Sequence, residues 1–162
     1  MIRFFTRRAA TQMQRRYQYD AAYLNEVAEV SGGGAVRLGM LPLLSQYSAG
    51  VPSDLWAGTA VGSTLDGDCG PCLQLVVNMA RERGVPAREL RAALTGDWEG
   101  AGNVGLGMRF ARAAIHDAAN LDALRDEIIQ QYGKRAVATL AIVAATGRAW
   151  PVIKRGLGHG NV

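Results

Sequence analysis

From residue 52 onward the apolar side chains recur in steps of three and four, and no run alternates with polar residues over four or more positions. Leu55, Trp56, Ala60, Val61 and Leu65 follow this spacing, as do Leu73, Val76, Val77 and Ala80. It returns in Leu106, Phe110, Ala113 and Ala114, and again in Val137, Leu140, Ala141, Ala144 and Ala145. A strand needs period two, so the pattern leaves no convincing strand and predicts an all-α chain of seven or eight helices.

The breakers set the element bounds. Pro52 stands where a helix begins, Gly84 closes one and Pro86 opens the next over 87–94. Asn120 caps a helix over 121–132 that Gly133 stops, and the last helix runs from 134 to about 155 with Pro151 near its end. Residues 95–103, "TGDWEGAGN", read as a loop before a helix over 104–118, and "GLGHGNV" reads as a frayed tail. Upstream, residues 2–30 read as helix broken near Tyr19–Asp20, with a second face of Tyr23, Leu24, Val27 and Val30. "SGGG" at 31–34 is a loop, and 35–47 a short helix containing Pro42. Residues 1–50 are thus a helical arm or extension and 51–162 a helical domain, long enough to bury a core.

Charge is unevenly placed. Residues 1–19 hold five arginines (Arg3, Arg7, Arg8, Arg15, Arg16) and no acid; taking these from the net +4 leaves the other 143 residues at −1. A basic face interleaved with aromatics is therefore confined to the arm, beside Phe4, Phe5, Tyr17 and Tyr19, and no nucleic-acid partner is expected. The arm has the composition of a transit peptide or a basic amphipathic helix at a membrane, and reads best as a docking helix. No segment has a signal-peptide core, and the longest strongly apolar run, 136–147, is too short to span a bilayer. Two cysteines do not make a secreted disulfide framework, and a cytoplasmic location is expected.

Those cysteines, Cys69 and Cys72, stand in "DGDCGPC" ahead of an apolar helix. With Asp68 as N-cap, Cys69 is the first helical residue and Cys72 lies one turn in, on the same face. Both sulfurs then sit at the positive end of the helix dipole, where thiolate is favoured, and Gly-Pro between them stiffens the turn. Asp66 and Asp68 oppose thiolate formation, yet are candidate proton acceptors. The dipole alone favours Cys69 as the more acidic thiol. Two readings remain open here, a redox dithiol and a pair of small buried residues. A zinc site lacks ligands: only His116 and His159 accompany the cysteines, and no metal or cofactor is expected.

The stretch "LWAGTAVGSTLDGDCGPCLQLVVNMARERGVPARELRAAL", Leu55–Leu94, resembles the carboxymuconolactone decarboxylase / alkylhydroperoxidase AhpD-like family, in which an apolar helix, a short turn, a CxxC helix, "GV" and a further helix follow in order. "GKRAVATLAIVAATGRAWPVIKRGLG", 133–158, is similar to the final helix of some members, so the resemblance covers roughly 52–158. It implies an AhpD-like multi-helix domain assembled as a homo-oligomer (dimer, trimer or hexamer). It also implies an oxidoreductase that reduces a hydroperoxide or disulfide with electrons from a thiol donor. On that resemblance Cys72 is peroxidatic and Cys69 resolving.

The chain departs from the family at the proton relay. The position four residues after the second cysteine, a histidine in the peroxidase branch, is Val76. The glutamate about twelve residues before the first falls on Ala57, or on Trp56 if Asp68 counts as an insertion. A base would then come from Asp66, Asp68 or His116. The alternatives are a non-catalytic oligomeric scaffold with a docking arm, and a decarboxylase-type enzyme using cations such as Arg109, Arg112 and Arg148. "GAGNVGLG" at 100–107 lacks the strand and GK[ST] ending of a phosphate loop, and Trp56, Trp98 and Trp150 read as core or interface anchors.

Overall fold

The computed structural model describes residues 2–160, and side chains from Arg8 onward apart from those of residues 9 and 10. Among the described residues there are nine helices and no strand: α1 Ile2–Tyr17, α2 Ala22–Val30, α3 Gly32–Ser45, α4 Ser53–Asp66, α5 Gly70–Glu82, α6 Ala87–Leu94, α7 Gly102–His116, α8 Leu121–Tyr132 and α9 Lys134–Gly156. The all-α class is therefore observed, with nine helices among the described residues where the spacing implied seven or eight.

Helix α4 is the axis of the fold, buried along nearly its whole length and packed on α5, α7 and α9. Small residues make this possible. A Cβ on Gly58 would lie 2.0 Å from the Val104 carbonyl oxygen, and one on Gly107 would lie 2.4 Å from that of Leu55, so α4 and α7 touch backbone to backbone. Thr59, fully buried in this contact, donates to the Leu55 carbonyl at 3.1 Å and is 3.3 Å from that of Gly107. Gly147 lets α9 approach in the same way, since its Cβ would stand 2.1 Å from Ser63 Oγ.

Two apolar cores flank the axis. Trp56, Val61, Val104, Met108 and Val143 form one, and Leu55, Phe110, Ile128 and Leu140 the other. Each such side chain contributes about 1.5–3 kcal/mol by leaving water. Some residues placed inward by spacing alone lie outside: Val30 is 79% exposed, Leu65 39%, and Ala114, Ala141 and Ala145 are also exposed. A helix stripe fixes the buried face only to within a residue or so, and the neighbours decide its edges. Helix α9, built on the apolar run at 136–147, is 23 residues long and by length and composition long and apolar enough to cross a membrane. In this fold it packs on α3, α4, α7 and α8.

"SGGG" is not a loop. Ser31 ends α2 and caps α3, its Oγ accepting from Gly34 N–H at 3.1 Å, so the glycines form the first turn of α3. Residues 1–50 contain α1, α2 and α3, which pack on one another, with α3 also on α9. Arg16 Nε and Nη2 donate to Glu82 of α5 at 3.1 and 2.8 Å, and Tyr17 Oη donates to it at 2.7 Å. Phe4, Phe5, Arg3 and Arg7, part of the basic and aromatic arm, have side chains outside the described residues. The tail is tied back: His159 N–H donates to the Lys154 carbonyl at 2.9 Å, and His159 Nε2 lies 2.7 Å from Glu26 of α2.

Candidate functional site

The turn that carries the cysteines is shaped from both sides. Gly67 ends α4 against Pro151 of α9, whose Cγ would be 2.6 Å from a Cβ at that position, and its carbonyl accepts from Arg155 Nη1 at 2.7 Å. Asp68 then takes a left-handed conformation, φ 50°, which turns the chain into α5. The N-cap is Cys69, not Asp68: Cys69 is extended, its Sγ accepts from Cys72 N–H at 3.3 Å, and Gly70 and Pro71 start the helix. Asp68 cannot cap because it is spent on the reversal. The pair is disulfide-bonded with a Cα–Cα distance of 5.3 Å, within the ordinary range.

The two sulfurs face different surroundings. Cys69 is half-buried, whereas Cys72 is 3% exposed and packs among Tyr19 and Tyr23. The Tyr19 hydroxyl lies 3.7 Å from Cys72 Sγ and 3.3 Å from the Tyr23 hydroxyl. Burial is the main cause that raises both phenols above the ordinary tyrosine value. Behind the rings stands Lys154, 1% exposed, its Nζ 5.0 Å from the Tyr19 ring centroid and 5.7 Å from that of Tyr23. That Nζ has no hydrogen-bond partner among the described residues.

Cys72 also lines a cavity of about 500 Å³. Trp56, Ala60 and Thr64 of α4 form one wall, and Leu75, Val76 and Met79 continue the wall begun by Cys72. Val143, Gly147 and Trp150 of α9 close another side, and Met13, Tyr19 and Pro42 come from the first fifty residues. Two of the three tryptophans read as anchors thus border the cavity.

The carboxylates and the histidine predicted for the site are not among the residues that line the cavity. Asp66 is paired with His116 and, at 3.1 Å, with Arg148. Asp68 is exposed. Neither is hydrogen-bonded to a sulfur among the described residues, and none of Asp66, Asp68 and His116 lines the cavity. Ala57 is buried in the core, and Val76 faces the cavity without proton chemistry. Arg109 pairs loosely with Glu127 at 3.9 Å, Arg112 stacks on Trp98 at 5.2 Å, and Arg148 holds Asp66, so the three cations are not gathered at the cavity. No cluster of three or more potential metal ligands occurs among the described residues.

The residues missed from sequence are Tyr19, Tyr23 and Lys154. Tyr19 marks the helix break and Tyr23 heads an apolar face, but nothing local ties either to Cys72. In comparisons with family models, curated proteins and solved structures, nothing matches the chain.

Proposed function

We propose that Cys69 and Cys72 form a thiol–disulfide centre that reduces an organic hydroperoxide or a disulfide, with electrons supplied by an external dithiol. The observation that carries the reading is that Cys72 lines an apolar cavity while its Sγ is bonded to Cys69 and within reach of the Tyr19 hydroxyl. The AhpD-like resemblance of the CxxC segment supports the same direction.

The Cys72 thiolate attacks the terminal oxygen of the hydroperoxide; the O–O bond breaks, sulfur is oxidised to a sulfenic acid, and the alcohol leaves after taking a proton. Cys69 then attacks Cys72 Sγ, the S–S bond forms and water departs with the sulfenic oxygen. A dithiol reduces the disulfide by two exchanges and is itself oxidised to a disulfide. Tyr19, protonated at neutral pH as an ordinary tyrosine is, donates a hydrogen bond to the sulfur as it changes charge, the task that Val76 and Ala57 cannot perform. The helix N-terminus adds to thiolate stability at Cys72.

The test is dithiol-dependent hydroperoxide turnover by the wild type and by Cys72→Ser. The reading expects the variant to lose turnover while keeping its helical spectrum. Equal rates remove the enzymatic claim.

A further inference from the structure

Helix α3 is apolar on two opposite sides, and its 14 residues hold one charge, Arg37. Leu38 and Pro42 line the cavity that Cys72 borders. Val36, Met40, Leu43 and Leu44 recur at helical spacing on the side away from it. Leu43 is 72% exposed and Met40 55%, and Tyr47 carries the exposed stripe past the end of the helix. A helix apolar all round is ordinarily covered on every side, and a contiguous apolar stripe left open marks an interaction surface.

The charges that border the stripe select its occupant. Helix α1 packs on α3, and its Met13 lines the same cavity. Arg15, two residues further on, therefore stands on the far side of α1, with Arg8 seven residues before it on that same side. Both are exposed, as is Arg37. At the other end of the stripe the stem of Arg135 lies against Gly50, where an added Cβ would be 3.0 Å from its Cδ. No acid occurs in residues 1–19 or 31–53. Asp20, Glu26 and Glu29 lie on α2 or in the turn before it, and Glu26 is engaged by His159 of the tail. A second copy seated face to face across a two-fold axis would set these cations against cations. An anionic bilayer offers phosphates at its rim and hydrocarbon just below, which matches both the arginines and the stripe.

We propose that α3 and the outer side of α1 dock the protein on an anionic lipid surface. Met40, Leu43 and Leu44 enter the boundary between headgroups and acyl chains, and Arg8, Arg15 and Arg37 meet the phosphates. The inner side of α3 is a wall of the cavity, so docking places that cavity one helix away from the lipid. This surface goes beyond the thiol chemistry and stands whether or not the cysteines turn over.

The test is co-sedimentation of the full chain with phosphatidylcholine vesicles and with vesicles rich in phosphatidylserine. The proposal expects binding at least about tenfold tighter to the anionic vesicles, weakening as salt is added. Leu43→Ser/Leu44→Ser should lower that binding about tenfold or more, and Arg15→Gln/Arg37→Gln about fivefold or more. All four side chains are exposed, so both variants should keep the wild-type helical spectrum. No binding to the anionic vesicles, or equal binding to both kinds, overturns the proposal from the wild type alone. Anionic binding that the leucine pair leaves unchanged puts the contact elsewhere and also overturns it. So does a dimer in lipid-free buffer that Leu43→Ser/Leu44→Ser disperses, which assigns the stripe to a second copy.

Discussion

The hydroxyl of Tyr19 stands 3.7 Å from the sulfur of Cys72, joining a residue of the α1–α2 connection to the first turn of α5. This contact gives the buried cysteine a proton-bearing neighbour. Tyr19→Phe keeps the ring and removes the hydroxyl. It is expected to lower hydroperoxide turnover on the order of 10²-fold. Stability should fall by only about 1 kcal/mol, the ordinary worth of such a group. Stopped-flow rates and thermal melts measure both, and an unchanged rate removes Tyr19 from the mechanism.

The same burial sets a pH limit. Tyr19 and Tyr23 have folded-state values raised above the ordinary tyrosine range, so above about pH 10 the unfolded chain loses these protons while the folded one retains them. Stability is therefore full below that range and falls as pH rises through it. Phenolate absorbance followed with circular dichroism should show these two tyrosines ionising only as the helices melt; early ionisation of all the tyrosines contradicts their burial.

Lys154 is held by two aromatic faces with no hydrogen bond among the described residues. Each cation–π face contributes about 2 kcal/mol when desolvated, against a desolvation cost of several kcal/mol for a buried ion, so an apolar chain of the same shape is the less costly occupant. Lys154→Met, similar in length and apolar, should raise stability by about 1 kcal/mol or more in a urea titration. A clear loss of stability would mean that the ammonium is better compensated than this geometry provides.

Backbone contact between α4 and α7 makes Gly58 the less replaceable of the two glycines of α4. Its Cβ would press on the Val104 carbonyl, and neither helix backbone can yield cheaply. Gly58→Ala is expected to cost at least ~2 kcal/mol. Gly70→Ala, where nothing lies within 4 Å of the added carbon, should stay within about 0.5 kcal/mol.

Docking of α1 has its own pH dependence. Hydrogen bonds from Arg16 and Tyr17 hold the Glu82 carboxyl below its ordinary range. Its contribution is thus full above about pH 4 and is lost as pH falls through the depressed folded value. Amide protection factors in α1, corrected for the intrinsic pH dependence of exchange, should fall in acid, and Glu82→Gln should lower them at neutral pH.

Elements bounded by strong punctuation were legible from sequence. Helix α6 lies at Ala87–Leu94 between Pro86 and Thr95, and α8 ends at Gly133, whose φ of 83° suits glycine. The glycines after Ser31 misled, because a side-chain cap outweighed their weak helix propensity. The cysteine turn was found, but its cap was assigned one residue early, since a residue in the left-handed region looks in sequence like any Asx cap. Tyr19, Tyr23 and Lys154 were illegible as a group. They come from opposite ends of the chain, and only the packing of α2 and α9 around α5 brings them to Cys72.

Trapping the oxidised sulfur tests the central claim most directly. Cys69→Ser, reduced and then exposed to one equivalent of an organic hydroperoxide, is treated with a dicarbonyl reagent that captures sulfenic acid and analysed by peptide mass spectrometry. Stoichiometric labelling at Cys72, with release of the matching alcohol, is the expected result. An intact hydroperoxide and an unlabelled Cys72 in the folded variant would contradict the account.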